Sequence, residues 1–455
     1  MAERMTSRDH QLHWVAEAFA FLAADSVPTA TGIEEKTGVS RNSVPQLLKE
    51  AVQCGILKVQ YDAGSEEMRK VLSRQRNGFD VSRLEGKLGE FATLHKETNS
   101  GRQLQSITVA VGDLGHGPAD PEKFAVPKEQ QHHHFDISAQ RFGIAAAPYL
   151  ESFLGKLCSR WGKRKNTSIL RIGVSWGRTV YSVVSKVSEN SLTGFANIGK
   201  CDCIPLWGEP YGPEIEEWTS KVFTDRHELS STSIAKRLHD VLSSDVAEKK
   251  CDDKQTRRAP RSLLGVPVVI PREMSGDAFR KTIEEYLGLT SAYQEIFVGN
   301  RGQKPLADEL HMIVASAGSP NFPGRFLSPE VIRHCLADTE QSPGPELEKA
   351  VLESVYGDIA GVVFRKEKNK ASSVEATKAL DSLSQRWTGI KQRHLVSCAE
   401  LARSGEGIGV VVFVIDKSRA EVVLEAIRMG VITHLVTDLS LARELDRLVT
   451  SQLQK

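Results

Sequence analysis

Apolar and polar positions follow two different periods along this chain, and the change of period marks its organisation. Over Asp9–Ala24 the apolar residues Leu12, Val15, Ala16, Phe19 and Leu22 recur at helical spacing. Ser26, Val27, Pro28 and Thr29 interrupt that pattern. The short helix predicted next, Ala30–Thr37, ends at Gly38, a residue suited to stopping it. Ser40 is placed to cap a third helix with Val44, Leu47, Leu48 and Ala51 inward, and Gly55 ends it. Ile56–Tyr61 alternates like one strand of a small wing. Residues 62–95 are charged and mostly helical, with a thin stripe of Leu84, Leu88 and Phe91.

Further on the pattern becomes strand, Gly-rich turn, helix, repeated. Ile107–Val111, Ile169–Val174, Cys203–Leu206, Leu264–Ile270, Leu310–Ala315, Gly409–Ile415 and Val431–Val436 read as strands. Helices are predicted over Ser138–Leu157, Thr179–Val187, Asp277–Leu287, Pro345–Val355, Ser418–Met429 and Leu439–Gln452. Strands alternating with helices imply a doubly wound, mainly parallel sheet covered on both faces. Gly112–Gln131 has no period and reads as a loop, and Asp245–Arg261 as an exposed charged insertion. The domain boundaries expected are 1–61 for a helix-turn-helix domain, 62–105 for a helical connector or oligomerisation segment, and 106–455 for an α/β domain.

Composition removes alternatives more than it adds them. With 455 residues, 40% hydrophobic and 26% charged, the chain is not globally disordered, collagenous or a coiled coil. Its 59 Lys and Arg against 58 Asp and Glu exclude a wholesale basic protein, though not a local nucleic-acid face. No apolar run approaches the roughly 18 residues that span a bilayer, and the N-terminus lacks a secretory pattern. The 7 cysteines are irregularly spaced, and Cys201 and Cys203 have no second pair to complete a zinc set. Reduced thiols in a cytoplasmic protein are expected.

Ile33–Val44 has the helix-turn-helix pattern: Gly38 ends a helix, Val39 packs inward and Ser40 caps the next. The second helix would expose Arg41, Asn42, Ser43, Gln46 and Lys49. Arg, Asn and Gln match base edges in the major groove, while Ser40, Ser43 and Lys49 suit phosphates. A helical hairpin with a polar outer face has the same pattern. Residues 1–60 carry six Lys and Arg against seven Asp and Glu, so non-specific affinity for phosphates is small. Pro45 falls early in the recognition helix and removes one backbone donor.

Ile172–Thr179 follows a buried strand and opens a helix. Gly173 and Gly177 let the backbone approach a ligand, Ser175 and Thr179 offer hydroxyls, and Arg178 offers a cation. A phosphate or carboxylate fits there; a tight turn without a ligand uses glycine in the same way. Three other strand ends carry comparable material: Trp207, Gly208 and Glu209; Ser316, Ala317, Gly318 and Ser319; and Asp416, Lys417, Ser418 and Arg419. Ligands of open α/β sheets bind outside the carboxyl ends of strands, so one shared pocket suits all four turns.

The order of these segments resembles the SorC/DeoR-type family of sugar-binding bacterial transcriptional regulators. Ile33–Ile56 is similar to its helix-turn-helix and Ile172–Tyr181 to its phosphate turn, most closely at Trp176, Gly177, Arg178 and Thr179. Pro205–Gly208, Ile313–Ser319, Tyr356–Gly361 with Asp358, and Glu421–Asp438 resemble later segments. The resemblance implies a fold like sugar-phosphate isomerases used as a sensor, a homotetramer bound to double-stranded operator DNA, and control by a phosphorylated sugar. Ser316 stands where the family usually has Gly, and Val362 where an Arg is common. Ile415 and Asp416 replace a Gly-Gly pair, and Arg419 falls where the family has a ligand-binding Lys. The phosphate turn is kept while the sugar end differs, which implies an anionic effector. The expectation is a regulator without cofactor, metal or catalytic residues; His132, His133 and His134, read as a loop, lack partners for a metal. Asp358 is expected among the effector-binding residues, as a capping or ligand-binding side chain; the alternative is a sugar-phosphate isomerase or deaminase-like enzyme with an accessory helical domain, in which Asp358 would serve as a base.

Overall fold

The computed structural model describes residues 15, 18, 30–44, 46–48, 81–94, 104–111, 128–161, 169–187, 201–208, 226–248, 260–263, 266–269, 277–299, 302–320, 345–366 and 374–454. The chain divides into two compact units, Met1–Val71 and Leu72–Lys455. In the first, helix α1 (Ala30–Thr37) precedes a turn, and residues 44 and 46–48 are again helical. The expected wing at 56–61 lies outside the described residues.

The second unit runs α2 (Val81–Leu94), β1 (Ser106–Val111), α3 (Lys128–Trp161), β2 (Leu170–Val174), α4 (Arg178–Val184), β3 (Cys201–Pro205) and α5 (Ser231–Glu248). It continues through α6 (Asp277–Leu289), β4 (Met312–Ala315), β5 (Ala317–Gly318), α7 (Pro345–Glu353), β6 (Val355–Ile359) and β7 (Val362–Arg365). It ends with α8 (Val374–Arg386), α9 (Gln392–Arg403), β8 (Gly409–Val414), α10 (Ala420–Arg428), β9 (His434–Asp438) and α11 (Leu439–Leu453). Six strands form a parallel sheet in the order β1-β9-β8-β4-β2-β3. Every residue of β4, β8 and β9 is buried, which explains why those strands read as apolar runs rather than alternations.

The sheet separates two cores. Because successive side chains of a strand point to opposite faces, Val410, Val412 and Val414 enter one core and Val411 and Phe413 the other. The first core is closed by α2, α9, α10 and α11, the second by α3, α4 and α5. The stripe Leu84, Leu88 and Phe91, expected on a connector, packs into the first core. Lys87 fixes α2 to α11 by bonding Asp446 at 2.6 Å and Thr450 at 2.7 Å.

A separate antiparallel sheet, β5-β6-β7, grows from the end of β4. Its hairpin turns on Ala360 (φ 50°) and Gly361 (φ 80°), both left-handed, as the two-residue turn that matches strand twist requires. Of the strand expected over Leu264–Ile270, the described residues 266–269 form none. Among the described residues there, Val269 makes an isolated antiparallel bridge to Trp387. Residues 245–248, expected in an insertion, prolong α5. The histidines 132–134, expected in a loop, have helical backbone in α3, which begins at Lys128.

Helices α3 and α4 pack at close range through Gly143. A Cβ there would press into the Ser182 carbonyl, well inside van der Waals contact. Gly143→Ala should therefore destabilise the protein by about 1–3 kcal/mol. Gly86→Ala in α2 meets open space and should stabilise it by up to about 1 kcal/mol. Chemical denaturation of both variants checks the contrast.

Candidate functional site

In the first unit, the Gly38 amide closes α1 on Glu34 O at 2.7 Å, and its φ of 70° suits glycine. Ile33, Val39, Val44 and Leu47 are buried. Arg41, Asn42, Ser43 and Gln46 are exposed together. Ser40 starts the second helix: its carbonyl accepts from Ser43 N at 2.8 Å, and its hydroxyl lies 3.4 Å from Asn42 N. This is a helix, a tight turn and a helix start, with the four polar side chains on the outer side. Lys49 lies outside the described residues.

In the second unit, β2 continues beyond Val174 through Ser175 N, which donates to Val314 O at 2.9 Å. Gly177 has φ 111°, a conformation few side chains tolerate, and its amide donates to Leu229 O at 3.1 Å. Helix α4 begins at the next residue without a side-chain cap, so the amides of Arg178 and Thr179 have no intrahelical acceptor. Ser175 and Thr179 are buried beside them.

Arg178 turns to α3. Its Nη1 donates to Asp136 Oδ1 at 2.9 Å, and its guanidinium carbon lies 4.8 Å from the centre of the Phe135 ring. Arg419, from the end of β8, lies 4.8 Å from the same ring. It donates to Ala317 O at 2.9 Å and Ile415 O at 2.7 Å. Burial presses both guanidinium pKa values down; Asp136 opposes this at Arg178, and Asp416 at Arg419. Two of the three expected cations, Arg178 and Arg419, are thus gathered around one aromatic ring.

Asp358 is fully enclosed next to this group. Its Oδ2 accepts from Gly361 N at 2.9 Å, and Gly318 lies against Oδ1 where any Cβ would collide. Burial raises its pKa to about 6, against the opposing pull of the Gly361 amide and Arg419. Two of the expected glycines answer to packing. A Cβ on Gly173 would lie 2.7 Å from Leu206 Cδ2, and one on Gly208 would enter the Val266 carbonyl. The Ser316 carbonyl accepts from Ala360 N at 3.1 Å, joining the end of β4 to the hairpin. Glu209 lies outside the described residues.

Ser319 and Lys417 instead line an open cleft of about 800 Å³ between α7, α10 and α11. Tyr356, Lys366, Glu421 and Arg447 share it. Most of its charges are paired, Lys366 with Glu421 at 3.9 Å and Arg447 with Glu444 at 2.6 Å. Among the described residues Lys417 has no ion-pair partner. Phe135 and Asp136 were not singled out from the sequence: their relation to Arg178 spans 42 residues and leaves no local pattern. Trp176, Trp207 and Trp387 form a continuous wall at the same edge, with ring centres 4.4 and 5.0 Å apart.

No protein-family model and no curated protein matches the chain. Among solved structures it is similar to the full-length sorbitol operon regulator SorC from Klebsiella pneumoniae, at 15% identity and TM-score 0.41, over 97% of this chain and 99% of that one. It is similar to a DeoR family transcriptional regulator from Listeria monocytogenes, at 15% identity and TM-score 0.40, over 80% and 99%. A transcriptional regulator from Streptococcus pneumoniae TIGR4 matches at 12% identity and TM-score 0.42, over 81% and 97%.

The pH response of Asp358 follows from its enclosure. Its folded pKa of about 6 lies above the ordinary 3.8, so the folded chain holds the proton more tightly than the unfolded chain. Stability from this group is complete below the ordinary value and is lost as pH rises through about 6. Relative to Asp358→Asn, wild type should lose about 2 kcal/mol between pH 4 and 7, read from denaturation at successive pH values.

Proposed function

We propose that the chain is a DNA-binding transcriptional regulator whose operator binding is controlled by a small anionic ligand, a phosphorylated sugar or sugar derivative. The observation that carries this reading is the helix–turn–helix start at 30–48, with Arg41, Asn42, Ser43 and Gln46 exposed together over a buried inner face. Such side chains reach base edges when the helix lies in a major groove. The ligand is assigned to the carboxyl edge of the parallel sheet, near Ser175, Arg178, Thr179 and Arg419, with Lys417 and Ser319 at the neighbouring cleft. Two buried cations at that edge favour an anion.

In this reading residues 1–61 contact DNA, 62–105 connect, with α2 of that segment packed into the first core of the second unit, and 106–455 sense the ligand in a cytoplasmic homotetramer. No helix among the described residues is long and apolar enough to cross a membrane. Several half-sites bound at once supply affinity that one near-neutral reading domain lacks. Ligand binding alters the arrangement of the subunits and with it the spacing of the recognition helices. The chain is read as a sensor rather than an enzyme. Asp358, its best candidate base, is held by Gly361 and packed on Gly318, and it does not line the open cleft.

A mobility-shift assay on DNA upstream of the protein's own gene tests the reading. Arg41→Ala should weaken specific binding by about 1–3 kcal/mol; unchanged affinity would remove the recognition assignment. Arg178→Gln keeps a donor for Asp136 and loses the charge. It should weaken the response to a phosphorylated sugar about tenfold or more while leaving ligand-free DNA binding intact. Titration of the protein–DNA complex with a panel of sugar phosphates reads both quantities.

A further inference from the structure

Asp136 stands in a position that neither sheet nor turn chemistry demands. It is carried by α3, yet its carboxylate lies against Arg178, at the carboxyl end of β2. Phe135, the residue before it, fills the space next to both Arg178 and Arg419. An aromatic ring and a carboxylate of this chain therefore occupy the edge where ligands of open α/β sheets bind.

The pairing is incomplete. Asp136 is fully buried, and among the described residues its Oδ2 has no hydrogen-bond partner. Only Oδ1 is bonded, to one terminal nitrogen of Arg178, although a guanidinium and a carboxylate can form two parallel bonds. A buried acceptor left without a donor is a destabilising feature. A phosphate at the same position presents more oxygens than a carboxylate and can address two guanidinium groups at once.

We propose that Asp136 is a built-in occupant of the anion site, and that an anionic ligand enters by displacing the Phe135–Asp136 turn of α3 from Arg178 and Arg419. The proposal rests on the reading of this edge as the effector site. In it the chain's own carboxylate keeps Arg178 paired, and its aromatic neighbour covers both arginines, when ligand is absent. Ligand binding is linked to release of the start of α3, while the remainder of that helix stays anchored through Phe142, Leu150 and Leu154. The resting affinity for any anion is lowered by this internal competitor, as for any site whose competent state is only partly populated.

The test uses the full chain and inorganic phosphate as probe, in two arms. Calorimetric titration compares wild type with Asp136→Asn, which keeps the size of the side chain and removes its charge. The variant should bind phosphate at least tenfold more tightly. Hydrogen exchange on wild type follows the amides of residues 135–142, which should exchange faster on adding phosphate. Equal or weaker phosphate binding by Asp136→Asn overturns the proposal and leaves the anion site standing. Absence of phosphate binding in both proteins removes the anion site and the proposal together. Where Asp136→Asn does not fold, the wild-type arm decides: phosphate that protects residues 135–142, or leaves their exchange unchanged, overturns it.

Discussion

Two guanidinium groups, Arg178 and Arg419, are held out of water within 4.8 Å of one phenyl ring, and the carboxyl edge of the sheet is organised around that fact. Burying two like charges together is costly unless each is met by acceptors. Asp136 meets Arg178, and the carbonyls of Ala317 and Ile415 meet Arg419. The Arg419 contacts explain local backbone detail. Ile415 O must point inward, and the chain then turns through Asp416 at φ 82°, a strained value for a non-glycine residue. The Asp416 carboxylate accepts from Ser418 N at 2.8 Å and so offsets part of that strain. The same region shifts Asp358, whose carboxyl is excluded from water more than it is helped by the neighbouring cation.

The parallel sheet and the turn between α1 and the helix after it were legible in the sequence for local reasons. β8 is a run of six residues buried on both faces, so its pattern is continuous and unambiguous. Gly38, Val39 and Ser40 act on residues one turn away, and Gly38 has the left-handed conformation that glycine accepts. The β5-β6-β7 sheet was not legible, because β5 contributes only Ala317 and Gly318 and owes its pairing to a hairpin some forty residues later. α8 and α9 were not singled out either. In α9 His394 and Cys398 stand among the buried positions, which dilutes the apolar signal. At the candidate site the strand-end turns were recognisable, but what fills the space between them was not. Phe135 and Asp136 belong to a helix predicted to begin only at Ser138, and nothing near them in the chain shows that they meet Arg178.

The position of β1 has a consequence for biosynthesis. β1 pairs along its length with β9, Ser106 opposite His434 and Thr108 opposite Val436, and α2 is bonded to α11. The edge strand made first in this unit therefore waits for a partner made more than three hundred residues later. Closure of such distant pairs is slow and leaves apolar strand surface uncovered in the meantime. While the chain is being translated, Ile107 and Val109 have neither the β9 neighbour nor the complete first core to cover them. A nascent chain stopped short of His434 carries an unpaired, apolar strand and is a natural client for chaperones, whereas synthesis of β9 supplies the partner strand.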